Sequence, residues 1–175
     1  MSSEERIKST SERNEKALRL KPTLGQGTAV TRARIREGLT CEVEEGPWKL
    51  TVDMSEKSGG SDAGPNPGIL GRGALGSCLA ISYTMWAARL GVPIESLEVE
   101  IHADYDSRGM YGLDGVSAGY KGIRYLVRIE SDTPESDILK MLDLADAHSP
   151  YRVVFSEAQE LNREVRILIP GRVSR

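Results

Sequence analysis

From Asn66 to Gly91 the chain reads NPGILGRGALGSCLAISYTMWAARLG, an apolar and small-residue run long enough for one helix of about seven turns. Asn66 can cap the first free amides and Pro67 is tolerated at the first helical position, while Gly91-Val92-Pro93 stops the run. Leu75, Cys78, Leu79, Ser82, Met85, Trp86 and Leu90 fall near one stripe at the helical repeat, so Cys78 is placed on or beside the buried face. A helix of this length and composition has to be covered, and the rest of the fold must be arranged to cover it.

The segments around it alternate. Thr28 to Ile35 reads as extended. In Leu39 to Met54, Leu39, Cys41 and Val43 alternate with polar residues, and Trp48, Leu50, Val52 and Met54 do so beyond a Glu45-Gly46-Pro47 turn, which predicts a β-hairpin. Ser55 to Gly68 is a loop by composition. Leu97 to Ala103 and Ile123 to Ile129 predict two further strands around a glycine-rich connection. Pro134 to Ala147 predicts a helix interrupted at His148-Ser149-Pro150, with a second helical piece over Tyr151 to Leu161 and a closing strand over Glu164 to Ile169. The order is that of an α+β fold without repeats. Residues 1–27 form an N-terminal extension, helical or loose, and residues 28–175 a single domain: a β-hairpin region over 28–65, the cysteine helix over 66–91 and an α+β part over 94–175.

Composition narrows the function classes. With 23 basic and 26 acidic residues intermixed, the net charge of -3 supplies no cationic field for nucleic acid or an anionic membrane. No apolar run reaches the roughly 18 residues needed to cross a bilayer, and the polar start lacks the apolar core of a secretory signal, so a soluble cytoplasmic protein is expected. Two cysteines are too few for a disulfide framework and point to free thiols in a reducing compartment. The two histidines, His102 and His148, lack partners at ligand spacing, so no metal and no cofactor is expected. His102 reads as a surface residue and His148 as a solvated helix end.

Cys78 lies about 18 Å along its helix, beyond reach of the N-terminal dipole, and a reactive thiolate there needs a cation from elsewhere. Arg32, Arg34 and Arg36 on the preceding extended segment are candidates, and Arg72 points to the opposite side of a straight helix. The stretch GPNPGILGRGALGSCLAISYTMWAARLGVPIESLEVEI resembles the central segment of the osmotically inducible protein C and organic hydroperoxide resistance (OsmC/Ohr) family, and residues 30 to 170 follow that family's order of elements. The resemblance implies an intertwined α+β homodimer, with curved sheets wrapped around long central helices. It also implies a peroxidatic cysteine attacking an organic hydroperoxide, an arginine holding the thiolate, a glutamate fixing that arginine and a second cysteine that resolves the sulfenic acid.

Carried over by position, Cys78 matches the peroxidatic cysteine and Arg36, in Arg36-Glu37-Gly38, the site arginine. Gly68 stands at the glutamate position, and Ser149, in Ser149-Pro150-Tyr151, at the resolving cysteine. Cys41 is either a second thiol or a core residue. Tyr83, Trp86, Ser149 and Tyr151 are candidate pocket residues, and the acidic clusters Glu42-Glu44-Glu45 and Asp143-Asp146 read as solvated faces. Two functions stay open: a peroxidase working through Cys78 alone with a low-molecular-weight or protein thiol as reductant, or a noncatalytic small-molecule binding module on the same scaffold.

Overall fold

The computed structural model describes residues 1–168. The central helix forms as its ends dictate. Helix α2 spans Pro67–Leu90, Asn66 Oδ1 accepts a hydrogen bond from the Ile69 amide at 3.1 Å, and Gly91 closes it at φ 70°, where a side chain would be strained. Before it, helix α1 spans Ser3–Leu20 and the strands β1 (Arg32–Glu37), β2 (Thr40–Glu45) and β3 (Trp48–Val52) form an antiparallel sheet in the order β1-β2-β3. The extended segment and the expected hairpin are thus one meander, with Arg34 opposite Glu42 and Cys41 opposite both Ile35 and Val52.

After α2 come β4 (Ser96–Asp104), the short helix α3 (Ser107–Met110), β5 (Gly122–Glu130), α4 (Glu135–Ala147) and α5 (Pro150–Ser156). Strands β4 and β5 pair antiparallel along their whole length, Ser96 opposite Glu130 and Asp104 opposite Gly122. Their alternation gives one polar face carrying Arg128 with Glu98 and Glu100, and one apolar face that packs on α2. His102 pairs with Glu100 on the polar face, as a surface residue would. The second helical piece ends at Ser156 rather than Leu161. Residues 157–168 carry no strand, and Ile169 of the expected closing strand lies outside the described residues.

The core lies between α2, the β4–β5 sheet and α4. Leu75, Leu79, Tyr83 and Ala145 are buried together with Val99, Ile101, Tyr125 and Phe155 packed around them, and Ala87, Val92 and Met141 continue the contact toward the end of α2. Gly76 lets helix and strand approach: a Cβ there would lie 3.2 Å from Ile101 Cγ1. The buried row is 75, 79, 83 and 87. Of the expected stripe, Met85 and Leu90 are exposed and Tyr83 and Ala87 take their place. Because α2 is apolar nearly all round, its periodicity does not select one face.

The β1–β3 meander is different. Every residue of β1 is exposed, as is β3 before Val52, and Ile35, Trp48 and Leu50 all face solvent. Among the described residues no helix of the same chain packs as a layer on it.

Asp53 ties this sheet to the loop that leads into α2. Its side chain is 1% exposed and accepts five hydrogen bonds, from the amides of Met54, Ser61 and Ala63 and the hydroxyls of Thr40 and Ser61. The Ser61 hydroxyl, joined by the three amides, holds the carboxyl well below the usual carboxylate range despite its burial. A carboxyl held below its unfolded value of about 3.9 adds stability above roughly pH 4 and loses it as pH falls through the folded value. Asp53→Asn turns an NH2 toward donors and is expected to lower Tm at pH 7 by more than about 5 °C. The gap to wild type should narrow at pH 3; a gap independent of pH would show that shape, not charge, matters at this position.

Candidate functional site

The site forms where the end of α4 meets the middle of α2. Cys78 is half-buried beside the Leu75–Leu79–Tyr83 row, and its sulfur lies 3.5 Å from Ser149 Oγ, its one hydrogen-bond partner among the described residues. Ser149 is 0% exposed. The break foreseen at His148-Ser149-Pro150 holds it there: the Ser149 amide donates to Asp146 O, Pro150 begins α5, and the Val153 amide donates to Ser149 O. A serine with this burial needs a polar partner, and the thiol supplies it.

Asp146 anchors the α4 end from beneath. Its Oδ1 accepts from Tyr83 Oη and its Oδ2 from Tyr125 Oη, both at 2.6 Å, with Arg152 Nε 3.5 Å from Oδ2. Burial, reinforced by the Asp146 carboxylate, pushes both phenols up, so each stays a neutral donor. Ser82 Oγ donates to Ala145 O at 3.3 Å, one further tie between the two helices. Asp146 is therefore a structural acceptor rather than part of a solvated acidic face, whereas Asp143 is exposed as expected. No local pattern marks Asp146; its two tyrosines come from other elements.

The remaining candidates divide. Tyr83 is a buried core residue whose hydroxyl donates to Asp146. Trp86 lines a groove against α1, and Tyr151 is 45% exposed on α5. His148 is an exposed helix end, its ring 5.2 Å from that of Trp86 and its Nδ1 2.8 Å from Leu144 O. Arg36 pairs with Glu42 on the neighbouring strand, and no hydrogen bond joins it to Cys78. Cys41 is a free thiol in the meander, its sulfur 3.8 Å from Glu42 O. At Gly68 a Cβ would lie 3.1 Å from Arg72 Nη1, which instead donates to Tyr120 Oη at 3.2 Å. Among the described residues no group of three or more His, Cys, Asp or Glu is placed to hold a metal ion, and no helix is long and apolar enough to cross a membrane.

The model of the OsmC-like protein family matches residues 59–162, more than half of the chain and the whole of this site. The chain belongs to the OsmC-like protein family. Solved OsmC-family structures share its fold at low identity. An OsmC-like protein from Mycoplasma pneumoniae is 15% identical, with 74% of this chain and 88% of that one covered at a TM-score of 0.63. An organic hydroperoxide resistance protein OsmC from Legionella pneumophila is 17% identical, covering 74% and 90% at 0.56. The organic hydroperoxide resistance protein OhrB of Bacillus subtilis is 18% identical, covering 74% and 91% at 0.51. No curated protein matches the sequence. The α+β class and the family resemblance seen in the sequence agree with these findings.

Proposed function

We propose that this OsmC-family chain reduces organic hydroperoxides through Cys78, with an external thiol as reductant. The observation that carries the reading is the half-buried Cys78 thiol held 3.5 Å from the buried Ser149 hydroxyl, inside the family-matched region. Family neighbours named organic hydroperoxide resistance proteins supply the substrate class. The thiolate sulfur attacks the terminal oxygen of ROOH, the O–O bond breaks, and the RO group leaves and takes a proton as the alcohol. Sulfur keeps the other oxygen as sulfenic acid. One external thiol then forms a mixed disulfide and releases water. A second thiol frees Cys78 and leaves as the oxidised disulfide. The Ser149 hydroxyl donates to the thiolate and afterwards to the sulfenate oxygen, so it takes part without being able to form a disulfide.

The working unit of this reading is a homodimer in which residues 28–175 act as one domain and residues 1–27 as an extension. The chain exposes 13700 Å², whereas a compact monomer of 19.2 kDa exposes about 8400 Å². The excess of about 5300 Å² on one chain is larger than one partner's share of an obligate interface, which buries roughly 2000–5000 Å² over both partners, and the exposed residues 157–168 hold part of it. The uncovered meander and Ile81 on the open face of α2 supply apolar surface for such an interface. Packing of the meander on a second chain's α2 is what brings Arg36 to a thiolate. Sedimentation at micromolar concentration should give a dimer; a persistent folded monomer would overturn this part.

Gly68 and Ser149 at the glutamate and resolving-cysteine positions favour one competing reading, a noncatalytic binding member of the family. Turnover of cumene hydroperoxide with dithiothreitol or a protein dithiol separates the two. Consumption of peroxide that scales with the protein supports the peroxidase. No consumption, with Cys78 unmodified by mass, replaces it with the binding module.

A further inference from the structure

Helix α1 lies outside the family-matched region, yet it is well built and docked. Ser2 and Glu5 cap each other's backbone amides, with Glu5 N donating to Ser2 Oγ and Ser2 N to Glu5 Oε2. Ile7, Thr10, Ser11 and Glu15 form its half-buried side, and Glu15 pairs with Arg89 of α2. The Arg89 guanidinium lies 4.3 Å from the centroid of the Trp86 ring. Between the two helices runs a groove of about 950 Å³, within the range of sites that take small organic ligands.

Its walls have two chemistries. Ile7, Leu18, Met85 and Trp86 give an apolar lining, and Leu18 and Met85 remain 42% and 43% exposed there. Arg6, Arg19 and Arg89 set three guanidiniums against one carboxylate, Glu15, in a chain whose net charge is -3. Arg19 and Arg89 share Glu15, while Arg6 makes no ion pair among the described residues. A neutral apolar ligand would leave this excess positive charge uncompensated, and a simple inorganic anion would leave the apolar wall wet. The complement is one molecule with an aliphatic chain and an anionic end.

We propose that the α1–α2 groove binds a free medium- to long-chain carboxylate, the chain along Ile7, Leu18, Met85 and Trp86 and the carboxylate at Arg6. Binding there needs no turnover of the Cys78 thiol, although His148 at the groove's edge adjoins Ser149. Trp86 reports on it directly, since the protein has two tryptophans and Trp48 lies on the meander. In full-length Trp48→Phe protein, dodecanoate should change Trp86 emission saturably, with affinity falling about two- to fourfold per methylene removed toward octanoate. Dodecanol and dodecyltrimethylammonium should bind at least about tenfold more weakly, and Arg6→Glu should weaken dodecanoate by a similar factor. Arg13→Glu makes the same charge change at an exposed α1 position outside the groove and should leave affinity unchanged. Equal effects of Arg6→Glu and Arg13→Glu, or equal binding of alcohol and carboxylate, would overturn the site. So would an unresponsive Trp86, the outcome if a second copy of the chain fills the groove. The peroxidase reading can fail without touching this result, because no peroxide or reductant is present.

Discussion

Cys78→Ser is expected to abolish thiol-dependent reduction of cumene hydroperoxide, a loss of roughly three or more orders of magnitude in rate. A serine hydroxyl stays protonated at neutral pH, and its oxygen has no oxidation state to which the peroxide oxygen can be transferred. The substitution is conservative for the fold, because the new hydroxyl faces Ser149 Oγ, which already lies 3.5 Å from the sulfur. A loss of activity with unchanged Tm therefore reports on chemistry. Cys41→Ser is the matched control. That thiol sits in the meander opposite Val52 with its sulfur 3.8 Å from Glu42 O, and its removal should change the rate by less than about twofold. If the two variants were equally active, or Cys41→Ser the more damaged, Cys78 would lose its assignment.

What the sequence makes legible depends on the range of the interaction concerned. The bounds of α2 come from Asn66-Pro67 and Gly91 because capping is settled within a few residues. Strands β4 and β5 come from alternation because one of their faces is wet. The placement of Ser149 against Cys78 is visible only through the family resemblance, since the contact spans 71 positions. Asp146 looks like one more surface acid, and only the convergence of Tyr83 from α2 and Tyr125 from β5 makes it an anchor. The stripe on α2 is misassigned at Met85, Leu90 and Tyr83 for a related reason. A helix covered on several sides offers no polar face to orient the reading. Arg36 is the converse case: its candidacy comes from the resemblance, while its own chain leaves it on Glu42.

The second large effect concerns the fate of the sulfenic acid. In wild-type protein treated with one equivalent of hydroperoxide, Cys78 should gain one oxygen, and added small thiol should convert the sulfenic acid to a mixed disulfide. Excess peroxide without thiol should add a second oxygen irreversibly, because Ser149, the hydrogen-bond partner of the sulfur, cannot condense with it. Ser149→Cys changes this outcome. A sulfur at that position starts near the 3.5 Å of the present Sγ–Oγ contact, against the roughly 2.05 Å of a disulfide that the variant is expected to close. The oxidised variant should lose two protons instead of gaining oxygen, and activity should survive peroxide excess that inactivates wild type. Ser149→Ala separates hydrogen bonding from resolution: it removes the donor to the thiolate and should slow the first oxidation by about two- to tenfold, while the oxidised products stay those of wild type. A disulfide in oxidised wild-type protein would show that Cys41 reaches Cys78 and resolves it. An unoxidised Cys78 in all three proteins would instead mean that the buried serine and the thiol form a packing contact and nothing more.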